Sequence, residues 1–220
     1  MEGLHVLVTA GPSREALDPV RYISNRSSGK MGYSIAENAA KRGAKVTLLS
    51  GPVSLEAPKG VDVVPFSTTQ ELLDRALELA DKQDIVIQAA APADYRAQEI
   101  APQKIKKQSG EPMVLTLIEN PDVAATLGQG KKAHQVFVGF AAETNDVLEH
   151  AQGKLVRKNL DMIVANDVTR PGAGFDVDTN IVTLISQSGV KALPLMSKAD
   201  VAGHILDYAF ELYLEKANAQ

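Results

Sequence analysis

The chain lacks several residue types that common classes of protein require. It has no cysteine and no tryptophan in 220 residues, and aromatic residues make up 5% of it. Without cysteine there are no disulfides, no thiolate nucleophile and no sulfur-bound zinc or iron. Its four histidines are scattered without the spacing of metal ligands. This argues against a histidine zinc site and against a histidine-based catalytic triad.

Charge and hydropathy argue against two further classes. The formal net charge is −4, whereas general nucleic-acid binders have a basic balance. No apolar stretch reaches the roughly 18 residues of a membrane-spanning helix, and the N-terminus enters a predicted strand rather than a charged signal segment. We therefore expect a cytoplasmic protein that binds neither nucleic acid nor membranes. The hydrophobic content of 45% is enough for the core of one domain over residues 1–220.

Apolar strands and amphipathic helices alternate along the chain. Strands that are apolar on both faces and separated by helices indicate a parallel sheet with helices on each side. An antiparallel hairpin is predicted near the C-terminus, over about 181–194, and a basic stretch over about 96–116 lacks helical periodicity and is predicted to be a flap. The predicted strands are Leu4–Val8, Lys45–Leu49, Val61–Phe66, Ile85–Ala90, Val136–Phe140 and Met162–Ala165, and the predicted helices are Met31–Arg42, Gln70–Lys82 with Thr69 as its cap, Val147–Lys158 and Lys198–Leu214.

A long polar segment separates the first strand from the first helix. About fifteen turn-prone residues follow Gly11-Pro12, and loops of that length are uncommon in compact domains unless they have a function. The segment leads into a helix N-terminus, where free N–H groups and the helix dipole favour an anion. An ordinary glycine-rich connection is the alternative. We call residues 21–30 the donor loop, because its polar side chains are mainly hydrogen-bond donors: Arg21, Asn25, Ser27, Ser28 and Lys30.

Two nucleotide-binding motifs that this loop superficially suggests are absent. In a P-loop, Lys30 would be followed by serine or threonine, and a glycine would occupy position 24. The chain has Met31 and Ser24 at those positions. A dinucleotide fingerprint needs two further glycines at fixed offsets after Gly11, and neither is present. The chemistry of the loop itself must therefore indicate its ligand.

Polar residues follow the carboxyl ends of several predicted strands, where ligands bind in open parallel sheets. Carboxylates, amides and the basic flap are therefore expected to meet at one edge of the sheet. Asp94 is the carboxylate best placed for a ribose hydroxyl or for a cation carried by phosphates. The residues in question are Asn25 after the first strand, Asp94 after the fourth, Glu143 and Asn145 after the fifth, and Asn166 and Asp167 after the sixth.

The flap carries a short basic run that is a candidate phosphate site. Lys104 and Lys106 alternate with Ile105 in a predicted extended segment, so their side chains should point the same way. Lys107 follows directly. The alternative is that this run is simply solvated, as short runs of charge commonly are.

A second candidate phosphate site lies on the predicted helix near residues 147–158. Lys154 and Lys158 are four residues apart and share a helix face, where like charges repel. A phosphate between them would reverse the sign of that interaction. Pairing with Glu149 or Asp161 is an equally good alternative. The segment 120–122 likewise has two compatible interpretations, a binding role and a helix N-cap.

A series of motifs occurs in one order along the chain. The motifs are TAGPSREALDPVRYISNRSSGKMG, AAAPADYR, KIKK, ENPDV, GFAAET, the Lys154/Lys158 pair with RKNLD, and AND. From about Leu4 to Leu214 this series resembles the phosphopantothenoylcysteine synthetase family of bacterial coenzyme A biosynthesis. Ser13 stands where the family usually has threonine and keeps the hydroxyl, and Pro92 stands where valine is common.

The resemblance implies a three-layer α/β/α, Rossmann-like fold and a CTP-dependent ligase. In the family, 4′-phosphopantothenate is activated by CTP as an acyl-cytidylate with release of pyrophosphate, and L-cysteine then displaces CMP. Mg²⁺ is the expected cofactor and a homodimer the expected assembly, with the hairpin near 181–194 as a candidate interface. In many bacteria the synthetase is the C-terminal half of a fusion with phosphopantothenoylcysteine decarboxylase, so such a fusion or assembly is also expected.

The resemblance also assigns roles to particular residues. Asn25 and Lys104 are implied as catalytic, and Asp94 as the metal ligand. Substrate binding is implied for Asn25, Arg21, Ser27, Ser28 and Lys30. Nucleotide binding is implied for Ala89, Ala90, Asp94, Lys104, Asn120, Pro121, Asp122, Val123, Phe140, Lys154 and Lys158.

Two other functions are alternatives to the ligase. A short-chain NAD(P) oxidoreductase is disfavoured, because the fingerprint glycines and a Tyr-x-x-x-Lys pair are both missing. Tyr33 is followed four residues later by Glu37, and Tyr95 by Glu99. A non-catalytic regulator remains open. It would bind CTP but release no pyrophosphate in the presence of the other substrates.

Overall fold

The computed structural model describes residues 1–107, 110, 112–143, 147–167, 174 and 177–219, and for residues 142, 143, 147, 148 and 167 it describes the backbone alone. An eight-stranded sheet in the order β13-β12-β10-β9-β6-β1-β4-β5 forms its centre. The elements are β1 (His5–Ala10), β2 (Arg14–Ala16), β3 (Tyr22–Ser24), α1 (Lys30–Lys41), β4 (Lys45–Ser50), β5 (Val61–Pro65), α2 (Thr69–Ala80), β6 (Ile85–Gln88), β7 (Tyr95–Ala97), β8 (Leu117–Glu119), α3 (Val123–Gln129), β9 (Val136–Glu143), α4 (Val147–Arg157), β10 (Met162–Asp167), β11 (Thr179–Asn180), β12 (Val182–Ser186), β13 (Gly189–Ala192), β14 (Met196–Ser197) and α5 (Lys198–Asn218).

The sheet is mostly parallel, as the sequence predicts. Strands β5, β4, β1, β6, β9 and β10 run parallel to their neighbours. β12 and β13 pair antiparallel at one edge, which confirms the predicted C-terminal hairpin. Its role as a dimer interface stays a prediction.

Helices cover both faces of the sheet and bury two hydrophobic clusters. Along β6, Ile85 and Ile87 face the cluster under α1 and α5, whereas Val86 faces the cluster under α2, α3 and α4. This alternation follows from the two-residue period of a strand. The three-layer α/β/α architecture is therefore confirmed. None of the helices that the structure describes has the length and apolarity to cross a bilayer.

Helix α2 begins one residue earlier than predicted. The hydroxyl of Thr68, not Thr69, accepts the capping hydrogen bond from Glu71 N at 3.1 Å. Thr69 is the first helical residue, and its N–H and hydroxyl both donate to the buried carboxylate of Glu15, at 2.9 and 2.8 Å. The prediction of Thr69 as the cap was wrong, because the capping hydroxyl belongs to the residue before it.

Strand β6 is shorter than the predicted Ile85–Ala90. It ends at Gln88 because the Ala90 amide leaves the backbone ladder for a side chain, and beyond it only an isolated bridge joins Ala91 to Pro12. Ala90 N donates to Thr9 Oγ1 at 3.0 Å, and Ala91 N donates to Gly11 O at 2.9 Å. The chain thus turns away from the sheet just before Asp94.

Seven described elements were not among the predicted strands and helices, including the two strands of the small β11-β14 sheet. The polar segment after β1 contains a small hairpin, β2 with β3. The base of the flap is a short antiparallel ladder, β7 with β8. Helix α3 follows Asp122, whose side chain accepts from Ala125 N at 3.0 Å. This confirms that the 120–122 segment carries an N-cap.

Helices α3 and α4 touch at their C-terminal ends. A Cβ atom at Gly128 would lie 1.9 Å from the carbonyl oxygen of Lys158, so no side chain fits there. Asn159 Nδ2 donates to Gly128 O at 2.8 Å, and Lys131 Nζ donates to Asn159 O at 2.7 Å. These contacts fix Lys158 relative to α3.

Candidate functional site

A cavity of about 350 Å³ opens at the carboxyl ends of the parallel strands, the position expected for a ligand in this topology. Its volume is within the range of small-molecule sites. Thr9, Gln88 and Gly139 line it and are register partners on β1, β6 and β9. Helices α3 and α4 and the loop after β6 form its walls. We call it the edge cavity.

Nine of the residues predicted to bind a nucleotide line this one cavity, and they come from four separate stretches of sequence. Ala89 does not line the cavity, and its side chain packs against the hydrophobic cluster under α1 and α5. The nine are Ala90, Asp94, Asn120, Pro121, Asp122, Val123, Phe140, Lys154 and Lys158.

Lys158 pairs with a carboxylate that lies far from it in the sequence. Its Nζ lies 2.9 Å from Asp122 Oδ2, across the contact between α4 and α3. Asp161, one of the two partners considered, instead pairs with Lys131 and Lys216. Burial opposes ionisation of Asp122. The hydrogen bond from Ala125 N and the charge of Lys158 outweigh it and lower the pKa of Asp122.

Asn120 braces the loop that carries Asp94. Its Nδ2 donates to Ala93 O at 2.8 Å, and its backbone N–H donates to Asp94 O at 2.8 Å. Arg96 Nη1 donates to Asn120 Oδ1 at 3.0 Å. These bonds hold one wall of the edge cavity in a fixed shape.

A buried polar network behind this wall went unpredicted. Ser13 is fully buried, and its hydroxyl accepts from Ala93 N at 2.9 Å. Thr69 Oγ1 lies 3.0 Å from Ser13 Oγ and also contacts Glu15. The network joins the segment after β1 to the Asp94 loop. The one available signal was the hydroxyl kept at position 13, where the family usually has threonine.

The donor loop reaches the rim of the edge cavity through Asn25. Its Nδ2 donates to Pro92 O at 2.9 Å and to Ala91 O at 3.4 Å, and Pro92 lines the cavity. An amide nitrogen carries two protons, so the shorter bond to Pro92 O holds the loop with one, and a ligand can take the other by replacing the longer contact to Ala91 O. Ser27 and Ser28 are half-buried and do not line the cavity.

Helix α1 begins as the anion-site prediction requires, although Lys30 faces elsewhere. Gly29 has φ 78°, a left-handed conformation that favours glycine, and no side chain among the described residues caps the helix. Lys30 Nζ pairs with Asp178 at 2.7 Å. This pair borders a second cavity, beside residues 55–59.

The flap lysines lie outside the cavity wall. Lys104, Lys106 and Lys107 are all exposed and do not line the edge cavity. Arg21 does not line it either, and its guanidinium binds the buried carboxylate of Asp18. These placements leave the predicted roles of Lys104 and Arg21 untested.

The described carboxylates permit a nucleotide-bound metal ion. No group of three or more histidines, acids or cysteines in the described part of the chain is suited to a metal. Mg²⁺ in nucleotide sites commonly needs only one or two carboxylates, with phosphates and water completing the shell. Asp94 is exposed and lines the edge cavity, and so fits that requirement. Asn145 and the side chains of Glu143 and Asp167, also predicted at this edge, lie outside the described residues.

Comparison with known proteins shows the family and the fold of the chain. Residues 1–212 match the family described as the C-terminal domain of DNA/pantothenate metabolism flavoprotein. The chain belongs to that family. It superposes with a TM-score of 0.82 on the crystal structure of the C-terminal domain of Coenzyme A biosynthesis bifunctional protein CoaBC, with 42% identity, covering 98% of this chain and 97% of that one.

Full-length relatives are longer than this chain. CoaBC of Bacillus subtilis is 50% identical over 208 residues, which cover 94% of this chain and 51% of the relative. CoaBC of Escherichia coli is 49% identical over 218 residues, which cover 98% of this chain and 54% of the relative. The chain thus spans about half the length of these relatives.

Proposed function

We propose that this chain joins 4′-phosphopantothenate to L-cysteine at the expense of CTP, giving 4′-phosphopantothenoylcysteine, CMP and pyrophosphate. The observation that carries the proposal is the edge cavity. Lys154, Lys158, Asp94 and the 120–123 segment all line it. Two cations and a carboxylate suit a triphosphate with its metal ion. Relatives that are about 50% identical to this chain are named as coenzyme A biosynthesis proteins, which supports the same chemistry.

The first step is activation of the substrate carboxylate. A carboxylate oxygen of phosphopantothenate attacks the α-phosphorus of CTP, and the bond to pyrophosphate breaks as the acyl-cytidylate forms. Catalysis of phosphoryl transfer rests on positioning and on spreading negative charge. Lys154 supplies a cation from α4, Lys158 supplies one from the residue that follows α4, and Lys104 supplies one from the flap. Asp94 would hold Mg²⁺, which neutralises phosphate charge.

The second step forms the amide bond. The amine of cysteine attacks the acyl carbon, its excess proton passes to solvent, and the carbon–oxygen bond to CMP breaks. The tetrahedral intermediate carries an oxyanion, which neutral N–H donors stabilise without adding charge to the leaving group. Asn25, at the rim of the edge cavity, supplies such a donor.

We also propose an assembly for this activity. Because the chain spans about half of its CoaBC relatives, we assign it to the synthetase half of a fusion with a decarboxylase, acting as a cytoplasmic homodimer. Size-exclusion chromatography with light scattering tests the dimer, and a monomer at working concentration would contradict it.

One assay tests the function. Pyrophosphate release is followed with phosphopantothenate and cysteine, using CTP in one reaction and ATP in another. We expect release with CTP that requires phosphopantothenate. If the chain binds CTP but releases no pyrophosphate with both substrates present, it is a nucleotide-binding regulator and not a ligase.

A further inference from the structure

The flap that carries Lys104 is docked on the segment before the donor loop. Ala101 N donates to Leu17 O at 3.0 Å. Ile105 N donates to Asp18 Oδ2 at 3.1 Å, and Ile105 O accepts from Arg21 Nη2 at 2.7 Å. The peptide groups on both sides of Ile105 are therefore held by one pair of side chains, directly after Lys104.

The carboxylate of Asp18 accepts hydrogen bonds from a local turn and from the flap at the same time. Its side chain is fully buried. Oδ1 accepts from the N–H groups of Val20 and Arg21, at 2.8 and 2.9 Å. Oδ2 accepts from Arg21 Nε at 2.9 Å and from Ile105 N. The hydrogen bond from Arg21 is the main cause that holds the pKa of Asp18 far below its ordinary value.

This pair does not support the hydrophobic core. Ile105 is half-buried, no helix or strand passes through residues 101–107, and the Arg21 side chain is 40% exposed. What the pair fixes is the place of the flap. Hydrogen bonds to a charged group are about twice as strong as neutral ones, so two side chains suffice to hold an otherwise irregular segment.

We propose that Asp18 is a positioning residue that acts through Lys104. The Asp18–Arg21 pair clamps the Ile105 peptide and so sets the region that the neighbouring lysine side chain can reach. Arg21 then serves the flap and does not contact substrate. The functional part of this inference rests on the proposed role of Lys104 toward the phosphates, whereas the clamp itself does not.

Two variants break the clamp in different ways. Asp18→Asn puts an amide donor where the carboxylate accepts, facing the N–H groups of Arg21 and Ile105. Arg21→Lys keeps the charge but loses the planar fork that reaches Asp18 and the Ile105 carbonyl together. Because Arg21 is partly exposed, this second variant leaves folding intact if the first does not.

A matched pair elsewhere in the chain supplies the controls. Arg42 Nη1 donates to Asp207 at 2.7 Å and its Nη2 donates to the Gly203 carbonyl at 3.3 Å. This is the same arrangement of guanidinium, carboxylate and backbone carbonyl, between α1 and α5. Asp207→Asn and Arg42→Lys therefore change a pair of the same chemical groups that is remote from the flap, although Asp207 is more exposed than Asp18.

Limited trypsin digestion of the ligand-free protein tests the clamp without any activity. Cleavage after Lys104, Lys106 and Lys107, identified by mass spectrometry, should be about tenfold or more faster in Asp18→Asn and Arg21→Lys than in wild type, since digestion follows the population of the open segment. The control variants should be cut at the wild-type rate. Unchanged flap cleavage in both clamp variants would overturn the proposal, even if the ligase function stands.

A double-mutant cycle tests action through Lys104. Rates of CTP-dependent pyrophosphate release are compared for wild type, Asp18→Asn, Lys104→Gln and the double variant. If Asp18 acts through Lys104, adding Asp18→Asn to Lys104→Gln should cause no further loss. A multiplied loss in the double variant would show a general structural role and overturn the positioning assignment. Absence of pyrophosphate release in wild type would instead refute the ligase, while the digestion result still reports on the clamp.

Discussion

The Nζ of Lys158 lies 2.9 Å from the carboxylate of Asp122, which joins α4 to the N-cap of α3 at the wall of the edge cavity. The lysine predicted to bind phosphate is thus already held by a carboxylate in the same wall. An incoming triphosphate has to share or replace that partner. The pair holds the Lys158 ammonium in place at the cavity wall.

Replacing either α4 lysine with glutamine is expected to weaken CTP binding. A hydrogen bond to a charged group contributes about 1.5–3 kcal/mol, or roughly tenfold to over a hundredfold in affinity. For Lys158→Gln the free energy of unfolding should also fall by about 1 kcal/mol at most, because Asp122 is half-exposed. Calorimetric titration with CTP and thermal melts measure both quantities.

The control for these two variants is Lys132→Gln. Lys132 pairs with Asp81 outside the edge cavity, so its replacement should leave CTP affinity unchanged. Wild-type affinity in both Lys154→Gln and Lys158→Gln would place the triphosphate elsewhere.

Asn25→Asp is expected to permit activation but block the cysteine step. A carboxylate would repel the oxyanion that the amide stabilises, and it would also repel the carbonyl of Pro92 that the amide now binds. Labelled CTP should therefore yield an acyl-cytidylate that accumulates when cysteine is present. Product turnover at the wild-type rate would rule out a catalytic role for Asn25. A thermal melt of the variant separates loss of chemistry from loss of folding.

Gln88→Met is expected to raise the free energy of unfolding by about 1 kcal/mol. Gln88 is 8% exposed, and its Nε2 has no hydrogen-bond partner among the described residues. An unsatisfied buried donor is costly, so an apolar side chain of similar shape should stabilise the fold. Urea unfolding at fixed pH measures the change.

Gln135→Met supplies the contrast. Gln135 is also buried, but its Nε2 donates to Ala80 O and Gln83 O at 2.7 Å. The same substitution there should lower the free energy of unfolding. A lower free energy of unfolding in both glutamine variants would contradict the prediction, because it would mean that the side chain of Gln88 has a hydrogen-bond partner in solution.

Asp18 should contribute to stability in a pH-dependent way. Its pKa is lowered on folding from an ordinary value of 3.8, so its contribution is complete above that value and is lost as the pH falls toward the folded-state pKa. The difference in unfolding free energy between wild type and Asp18→Asn should be constant above about pH 5 and shrink below about pH 4. Urea unfolding across this range gives the difference, and a constant value at every pH would contradict the low pKa.

The sheet and its covering helices follow from local patterns, and so were predictable. Continuous apolar runs such as Ile85–Ile87 identify buried parallel strands, and an acid after Asn120-Pro121 identifies a helix cap. The carboxyl-end rule then places Asp94 at the edge of the sheet where ligands bind. These inferences need only the period of each element and the order of the elements.

The rest depends on contacts between distant parts of the chain. Ile105 and Asp18 are 87 residues apart, and no local pattern links them. Sequence spacing suggests only nearby acids as partners of Lys158, whereas Asp122 lies 36 residues away. Strands of three residues, such as β2 and β3, are too short to show a period.

Because Gly128 has no side chain, the chain at the ends of α3 and α4 can pack in direct backbone contact, and this limits how the cavity can move. The backbones of α3 and α4 meet there without space between them, and Asn159 and Lys131 tie the same corner. The end of the edge cavity where Lys158 lies therefore has no freedom to widen. The opposite wall is the Asp94 loop, which the side chains of Asn120 and Ser13 hold by hydrogen bonds. We expect any change in the width of the cavity to come from that loop, while the helical wall stays in place.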